Sequence, residues 1–571
     1  MKKALSLLCL GLLVLTACDF NAPPAPTAPA PALATATPTS TPVPPTPTPR
    51  PIPQVLRLHL SADPSTIDPQ QASASDETDI VMMVFSNLLA FDADGNLTPE
   101  TAVALPTLSP DGLTYTFRLK PGRKYSDGRP LTAKDFEYGW KRQLDPALAS
   151  DNAVNAFVLA GAEAYHSAAS RKAGKEELQK LRDAVGVRAL DEQTLEFRLT
   201  ARAPYFLSML AVWNGLPARQ DLVEKHGNKW TEPSTYIGNG PYVLSEWKRQ
   251  ARLVFTANPN YARGKPPIER IEMIVSDSTA ALMAYQNGEI DAMRLGAPEL
   301  NRTGAQSDAK LKAQLTQRVA PCTFYIGFNT TKAPFDKVAV RRAFAQALDK
   351  EQYARTIEKD LALPADQFVP PGLPGHYADL KTPKFDAAAA RRDLAQAGFA
   401  NGAGLPEIRY GYVASPRNQL RAEWLLTQWK THLGAQVKAD PLDAQTYRVN
   451  GAKPETMPHL FMYGWCQNYP DPHDWYSTVF DSRSIAPYRT GWKNDRFDQL
   501  TREADRELDP QKRLELYRQA AQLLADNAPV AFLYNAAELW LVKPHIGGAK
   551  LTPLDVYFSS ASVMSLKVLP R

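Results

Sequence analysis

The stretch from Asn21 to Pro53 constrains the fold more than any other part of the chain. It consists mainly of Pro, Thr and Ala, with almost no large apolar side chain. Such a composition cannot bury enough surface to fold, and its prolines favour an extended polyproline II conformation. At about 3.1 Å per residue, the stretch would reach roughly 100 Å when fully extended. The folded part of the chain is therefore expected to begin near Gln54.

An export signal precedes this stretch. Met1-Lys2-Lys3 is a short basic start, and residues 4–15 form an apolar run that is too short to span a bilayer. The run ends in Leu15-Thr16-Ala17-Cys18, which resembles the lipobox of bacterial lipoproteins. The resemblance implies a signal peptide over 1–17 and lipid on Cys18, with 18–53 as anchor and stalk. We expect an exported protein on the outer face of the cytoplasmic membrane (periplasm or cell surface). The alternative is an ordinary signal peptide with a chance cysteine.

The composition of the chain is that of a globular protein. Of its 571 residues, 44% are hydrophobic and 22% are charged, and the formal net charge is +5. The basic residues are dispersed, without a run that could follow nucleic-acid phosphates, so nucleic-acid binding is not expected. The length exceeds that of one ordinary domain, so two or three lobes are predicted.

Two cysteines belong to the exported body. Cys9 lies in the signal and Cys18 would carry lipid, which leaves Cys322 and Cys466. In an oxidising compartment these two can form a disulfide. Two buried free thiols are the alternative.

Strands and helices are predicted throughout the body, which indicates an α/β fold. Alternating or continuous apolar runs predict strands at 55–60, 113–119, 187–190, 194–199, 253–255, 268–275, 324–328, 408–413, 531–534 and 539–542. Helices are predicted at 80–89, at 280–286, at 420–433, and after the N-caps Thr132, Asp336, Asp386 and Asp509.

The sequence contains no recognised catalytic or cofactor motif. There is no P-loop and no H-E-x-x-H motif, and the glycine-rich turn at 238–240 leads into a strand instead of a helix. His459, Cys466, Asp471 and His473 lie close together in sequence, but their spacing fits no common zinc pattern. Asp471 and Asp474 could in principle serve acid–base chemistry. We expect no cofactor, no metal and no enzymatic activity; a secreted hydrolase is the weaker alternative.

Several short motifs in a fixed order identify a family. The chain resembles the peptide-binding, extracytoplasmic solute-binding proteins of ABC importers, oligopeptide-binding type, over 54–571. The resemblance rests on Tyr125-Ser126-Asp127-Gly128-Arg129-Pro130-Leu131-Thr132-Ala133-Lys134-Asp135-Phe136, Asn239-Gly240-Pro241-Tyr242, Asn258-Pro259-Asn260-Tyr261, Gly288-Glu289-Ile290-Asp291, the segment 329–336, and Gly464-Trp465-Cys466.

The resemblance implies a three-lobed periplasmic-binding-protein-like fold in which a hinge closes two lobes over a ligand cleft. The expected pieces of lobe I are 54–85, 210–321 and 537–571. Lobe II would span 86–209, and lobe III would span 322–536.

The resemblance also implies how the ligand is held. Family ligands lie extended and pair their main chain with the protein as an added strand. The positions that would do this are Tyr463, Gly464, Trp465 and Cys466, with a second edge at Ser73, Ala74 and Ser75. The family's disulfide falls on Cys322 and Cys466.

The chain departs from the family where a peptide's free amino group is usually held. The usual aspartate, two residues past the cysteine, is Asn468 here, and the arginine that usually precedes this site is Met462. Either Asp471 supplies the missing charge, or the ligand lacks a conventional free amine. The family histidine near the ligand carboxylate corresponds to Asn418.

The sequence therefore predicts a monomeric receptor that captures a peptide or peptide-like solute and delivers it to ABC permease subunits. A binder of a non-peptide solute (an oligosaccharide, a modified peptide or a metal chelate) is the alternative. Aromatic residues near the site that could stack on such a ligand are Trp465, Tyr469, Trp475 and Tyr476.

Overall fold

The computed structural model describes residues 53–92, 94–168, 170–296, 308–359, 361–484, 490–548 and 562–570. The expected signal peptide over 1–17, the lipid site at Cys18 and the stalk up to residue 52 lie outside these ranges. The described residues form a single compact unit.

The strands of the described residues are numbered in chain order. They are β1 Val55–Leu60, β2 Leu89–Phe91, β3 Leu97–Pro99, β4 Thr107–Leu108, β5 Thr114–Arg118, β6 Val187–Ala189, β7 Thr194–Arg198, β8 Tyr242–Lys248, β9 Arg252–Ala257, β10 Arg270–Val275, β11 Ala292–Leu295, β12 Leu315–Phe328, β13 Ala362–Pro364, β14 Ile408–Val413, β15 Val437–Leu442, β16 Leu460–Cys466, β17 Val530–Val542, β18 Ile546–Gly547 and β19 Lys567–Val568.

Helices surround these strands and are referred to by their bounds. The α-helices are Ser75–Val84, Ala133–Gln143, Ala162–His166, Lys175–Asp183, Phe206–Met209, Gln220–His226, Ser278–Asn287, Ala309–Lys312, Val338–Gln346, Lys350–Thr356, Ala387–Gln396, Pro416–Leu433, Ala444–Asn450, Pro472–Phe480, Asp495–Ala504 and Pro510–Asn527. Short 3-10 helices span Asp151–Val158, Gly227–Lys229 and Ala400–Gly402.

Two long antiparallel strands, β12 and β17, lie in the middle of the large sheet. The order of this sheet among the described residues is β15-β14-β16-β12-β17-β11-β1-β10-β9-β8, with β13 also paired to β17. β12 and β17 pair from Leu315 opposite Leu541 to Gly327 opposite Val530. The strands β14–β16 lie on one flank of this pair, and β1 with β8–β11 lie on the other. The two long strands therefore connect both flanks.

A separate sheet, β4-β5-β7-β6, packs with the helix Ala133–Gln143 around its own aromatic core. In that core the ring of Phe197 lies 5.8 Å from Trp140 and 5.1 Å from Phe206 between centroids. Separate cores on a large mixed sheet are consistent with the multi-lobed α/β fold that the sequence predicts.

Local signals locate most elements. The strands at 55–60 and 408–413 are confirmed as β1 and β14, and Thr132, Asp386 and Asp509 are confirmed as N-caps. The predicted cap at Asp336 is wrong, because the helix Val338–Gln346 begins after Lys337.

The helix predicted at 80–89 is also misplaced. It spans Ser75–Val84, and Leu89 already belongs to β2. Its N-cap is Ala74, which has no polar side chain to signal a start; instead, the carboxylate of Glu77 accepts the N–H groups of Ser73 and Ala74.

Candidate ligand-binding site

Among the described residues, one edge of β16 has no neighbouring strand over its second half. β16 pairs with β12 from Leu460 opposite Phe328 to Cys466 opposite Cys322. On its other side it pairs with β14, but only at Leu460 and Phe461. Within the part of the chain that the structure describes, no ladder continues along this side beyond Phe461. Such an edge can accept an extended chain as an added strand.

The register of the ladder determines which main-chain groups face this open edge. The N–H of Gln467 donates to the carbonyl of Pro321 at 2.8 Å, so these residues form a hydrogen-bonded pair. Hydrogen-bonded and non-hydrogen-bonded pairs alternate along an antiparallel ladder. The N–H and C=O groups of Gly464 and Cys466 therefore point away from β12, toward the open edge.

Neighbouring contacts agree with this alternation. Met462 is two residues before Gly464, and its carbonyl accepts a hydrogen bond from the Tyr447 hydroxyl at 2.6 Å on the same side.

On the face of the sheet, a Cβ at position 464 would lie 2.5 Å from the ring of Phe324. That ring is stacked on Tyr534 with centroids 4.7 Å apart. Glycine at 464 therefore fits a site that leaves no room for a side chain.

The last pair of this ladder is a disulfide. Cys322 and Cys466 lie opposite each other with Cα atoms 4.0 Å apart and are joined by an S–S bond. The pairing that the cysteine count leaves open, and that the family resemblance implies, is present in the structure. It fixes the end of β16 to β12 across 144 residues of sequence.

A cavity of about 230 Å³ lies where β16 ends. Its wall brings together Ser73, Ser75, Cys466 and Asn468, which the sequence assigns to the site from two distant segments. The apolar part of the wall includes Met82, Phe91, Val212 and Trp213.

The cavity wall also carries charged residues that the sequence interpretation missed. They are Asp79, Arg318 and Glu538. Arg318 Nε donates to Glu538 Oε2 at 2.7 Å, across the β12–β17 ladder. Burial acts to raise the pKa of Glu538, but the Arg318 guanidinium outweighs it and holds that pKa below its usual value.

The segment Ser73-Ala74-Ser75 is the start of a helix and not the edge of a strand. The N–H groups of Ser73 and Ala74 both donate to Glu77 Oε2 at 3.2 Å. Ser75 is the first residue of the helix Ser75–Val84. The segment borders the cavity through Ser73 and Ser75, while Ala74 is not part of the wall.

Asn468 is held by a buried carboxylate. Its N–H donates to Asp474 Oδ2 at 2.9 Å, and its Nδ2 donates to Asp474 Oδ1 at 3.0 Å. Trp465 Nε1 donates to Asp474 Oδ2 at 3.3 Å. Asp474 is fully buried, and burial raises its pKa to about 7 despite these three hydrogen bonds. Asn468 thus connects a buried acid to the cavity.

Asp471 is engaged elsewhere. Its carboxylate accepts two hydrogen bonds from the guanidinium of Arg513, at 2.6 and 2.9 Å, and both side chains are buried. It also caps the helix Pro472–Phe480 through the N–H of His473 at 2.8 Å. Asp471 is not part of the cavity wall.

The residues next to Asp471 contact a distant part of the chain. The ring of His473 is stacked on Tyr205 with centroids 3.6 Å apart, and its Nδ1 lies 2.7 Å from the Tyr469 hydroxyl. Burial lowers the pKa of His473 below its usual value. Tyr469 packs into the core formed mainly by residues 88–211. The segment after β16 therefore joins two parts of the fold.

A family model described as "Bacterial extracellular solute-binding proteins, family 5 Middle" matches residues 96–486. The chain belongs to this family. Its predicted place among the extracytoplasmic solute-binding proteins of ABC importers is confirmed.

Similar proteins cover nearly the whole chain. The oligopeptide-binding protein of Bacillus subtilis is 29% identical, over 89% of this chain and 92% of its own. A probable deoxycholate-binding periplasmic protein of Escherichia coli is 31% identical over the same shares. The unliganded open form of the periplasmic murein tripeptide-binding protein MppA superposes with a TM-score of 0.75 at 25% identity, over 90% of this chain and 97% of that one. Relatives in this solute-binding family are thus named for different ligands.

Other residues predicted for the site of this family 5 protein lie away from the cavity wall. Tyr463 and Trp465 pack against the core that contains Tyr325 and Trp475. Asn418 lies in the first turn of the helix Pro416–Leu433, where its Nδ2 donates to the carbonyl of Val413 at 2.9 Å.

The residues that resembled a metal site have different partners. Cys466 is in the disulfide, and Asp471 is paired with Arg513. His459 Nδ1 accepts from the N–H of Arg409 at 3.4 Å. Over the described ranges, no group of His, Cys, Asp and Glu side chains is arranged to hold a metal ion. In the same ranges, no helix has the length and hydropathy needed to cross a bilayer.

Proposed function

We propose that this chain is a non-enzymatic, monomeric receptor that captures a peptide or peptide-like solute outside the cell membrane and delivers it to an ABC importer. The main support is the open edge of β16 beside the cavity. There the N–H and C=O groups of Gly464 and Cys466 face outward, as strand addition requires. Each main-chain hydrogen bond would contribute roughly 0.5–1.5 kcal/mol net and would not depend on the ligand's side chains.

The ligand's side chains would enter the cavity. Its apolar wall at Met82, Phe91, Val212 and Trp213 suits an apolar group. The relatives named for oligopeptides support the peptide class.

A non-peptide solute with an apolar body is the second candidate. The apolar wall favours it, and so does the relative named as a probable deoxycholate-binding protein.

Native mass spectrometry of the purified protein tests these candidates, because it detects a ligand carried through purification. A carried peptide supports the proposal, and a non-peptide mass supports the second candidate. Calorimetric titration with a peptide pool and with deoxycholate is the companion measurement. If the ligand-free protein binds no peptide, the peptide assignment is wrong.

The three lobes and their hinge are part of the proposal. Lobe I would comprise 54–85, 210–321 and 537–571, with lobe II at 86–209 and lobe III at 322–536. β12 and β17 connect both flanks of the large sheet, which makes them candidates for the hinge. Small-angle scattering should show a smaller radius of gyration when ligand is added.

We also propose that lipid on Cys18 anchors the protein and that 18–53 is the stalk. The support is the motif Leu15-Thr16-Ala17-Cys18. Cys18→Ser should abolish labelling by a palmitate analogue and release the protein from the membrane fraction. Labelling that persists in this variant would contradict the assignment.

A further inference from the structure

A stack of three rings joins two distant parts of the chain. The ring of His473 is stacked on that of Tyr205, with centroids 3.6 Å apart and planes inclined by 14°. The ring of Tyr469 lies 6.1 Å from Tyr205, with planes inclined by 15°. In the lobes proposed above, Tyr205 belongs to lobe II, whereas Tyr469 and His473 belong to lobe III. The stack therefore crosses a lobe boundary.

Each side of the stack is fixed to its own lobe. Tyr205 immediately precedes the helix Phe206–Met209, and Phe206 is fully buried in the aromatic core formed mainly by residues 88–211. On the other side, His473 Nδ1 lies 2.7 Å from the Tyr469 hydroxyl, and the His473 N–H donates to Asp471 Oδ1 at 2.8 Å. The two lobes thus cannot move apart without separating these rings.

The segments that carry the rings also line the ligand cavity. Residues 211–213, shortly after Tyr205, belong to the cavity wall, and so do residues 466–468, directly before Tyr469. The three stacked rings themselves are not part of that wall. The stack therefore connects two parts of the wall from outside the cavity.

Burial of the rings favours the closed arrangement. Tyr469 is only 5% exposed, although the core against which it packs belongs mainly to lobe II. Separation of the lobes would return the faces of Tyr469, Tyr205 and His473 to water. Burial of aromatic surface and stacking of the rings both oppose that separation.

We propose that Tyr205, Tyr469 and His473 form an aromatic clasp between lobes II and III, which stabilises the closed form of the receptor and slows release of its ligand. This inference rests on the proposed solute-binding function and adds a determinant of how long the ligand stays bound. Because the clasp acts on closure and does not contact the ligand, its effect should not depend on which solute fills the cavity.

The expected effect follows from the strength of a stacked pair. Such a pair changes an equilibrium constant roughly 3- to 10-fold beyond the contribution of the area that it buries. Tyr205→Leu removes the stacking face and leaves an apolar side chain against the core of lobe II. Ligand release from this variant should be faster by roughly the same 3- to 10-fold.

The test is the rate at which the full exported chain releases a pool of synthetic tetrapeptides. The pool carries a C-terminal dansyl group, and an excess of the unlabelled pool displaces it in a stopped-flow instrument. Tyr205→Leu and His473→Leu should both accelerate release. The double variant should release the pool no faster than His473→Leu alone, because both substitutions remove the same contact.

A ring pair inside lobe II provides a matched control. Phe157 and His166 have ring centroids 5.5 Å apart, and Phe157 packs against the same core as Tyr205. Phe157→Leu should lower the urea midpoint of unfolding, as Tyr205→Leu does, but it should leave the release rate unchanged. The urea curves also establish that each variant is folded.

Small-angle scattering of the ligand-free protein gives a measurement that needs no ligand. Tyr205→Leu should have a larger radius of gyration than the wild type, and Phe157→Leu should not.

The outcomes separate the clasp from the proposed function. If the wild type binds the pool, an unchanged release rate in Tyr205→Leu would overturn the clasp and leave the peptide receptor standing. Equal acceleration by Phe157→Leu would overturn it as well. If the folded wild type binds no peptide, the peptide assignment is wrong and scattering decides the clasp alone: an unchanged radius of gyration in Tyr205→Leu would overturn it.

Discussion

The ion pair between Asp471 and Arg513 gives the most direct test of how the acids near β16 are used. The sequence allows Asp471 to hold a ligand's amino group, whereas the structure pairs it with Arg513. Arg513 donates Nη2 to Oδ1 at 2.6 Å and Nη1 to Oδ2 at 2.9 Å, and its Nε donates to the carbonyl of Ala504 at 3.1 Å. The two side chains are only 10% and 9% exposed.

Arg513→Met keeps much of the apolar stem and removes the charge. Asp471 is then a buried carboxylate without its cation, and breaking such a pair typically costs about 3–5 kcal/mol. Urea unfolding followed by tryptophan fluorescence measures the loss, since Trp475 lies in the helix that Asp471 caps.

The double variant Asp471→Asn with Arg513→Met is the matched control. It buries no unpaired charge, so it should be less destabilised than Arg513→Met alone. A loss below about 1 kcal/mol in Arg513→Met would refute the structural role of the pair. The structural role of the pair would also be refuted if Asp471→Asn folded normally, still bound ligands, and lost only a preference for ligands with a free amine.

Three further predictions concern the disulfide, Asp474 and Gly464. Replacing Cys322 and Cys466 by serine should lower stability by about 5 kcal/mol in the chain-entropy model, given their separation of 144 residues; an unchanged urea midpoint would contradict this. Burial raises the pKa of Asp474 from 3.8 to about 7, so the folded state holds this proton more tightly than the unfolded state. The associated stability should be full below about pH 4 and should fall by about 4 kcal/mol as the pH rises to about 7. Asp474→Asn should remove that part of the pH dependence, and an identical pH profile would contradict the assignment. Gly464→Ala should destabilise by about 1–3 kcal/mol through crowding of the Phe324 ring; Phe324→Leu should relieve part of that loss, and strictly additive effects would argue against the contact.

Much of the local structure follows from short-range patterns. The bounds of β1 and β14 agree with the sequence prediction, because alternating residues set the faces of a strand without help from distant segments. The caps at Thr132, Asp386 and Asp509 are similarly local, since each side chain bonds within its own first turn. The sequence prediction places the helix Ser75–Val84 too late, at 80–89, because its capping carboxylate, Glu77, lies inside the helix and not before it.

The long strands could not be predicted at full length. β17 runs through Asn535 and Glu538, polar residues that divide the apolar pattern into two apparent strands. In the fold, Asn535 Nδ2 donates to Thr323 Oγ1 at 2.7 Å, and Glu538 pairs with Arg318. These partners are more than two hundred positions away. Polar residues are tolerated inside these strands because the opposite strand satisfies them.

The sequence by itself identified the family. Through that family it also predicted that the main chain of Tyr463, Gly464, Trp465 and Cys466 pairs with the ligand. The ladder register of the structure then showed that the main-chain groups of Gly464 and Cys466 face the open edge. The sequence also located Asn468 as the position where the site departs from its relatives. These results rest on motifs and on residues close to one another along the chain.

Only the tertiary structure decided how the acids around that departure are used. It pairs Asp471 with Arg513, buries Asp474 behind Asn468, and brings Ser73 and Ser75 to the same cavity. The physical reason is that burial and ion pairing depend on which distant segments pack together. Carboxylates that look equivalent in sequence therefore become a buried ion pair at Asp471 and, at Asp474, a buried acid that accepts hydrogen bonds from Asn468.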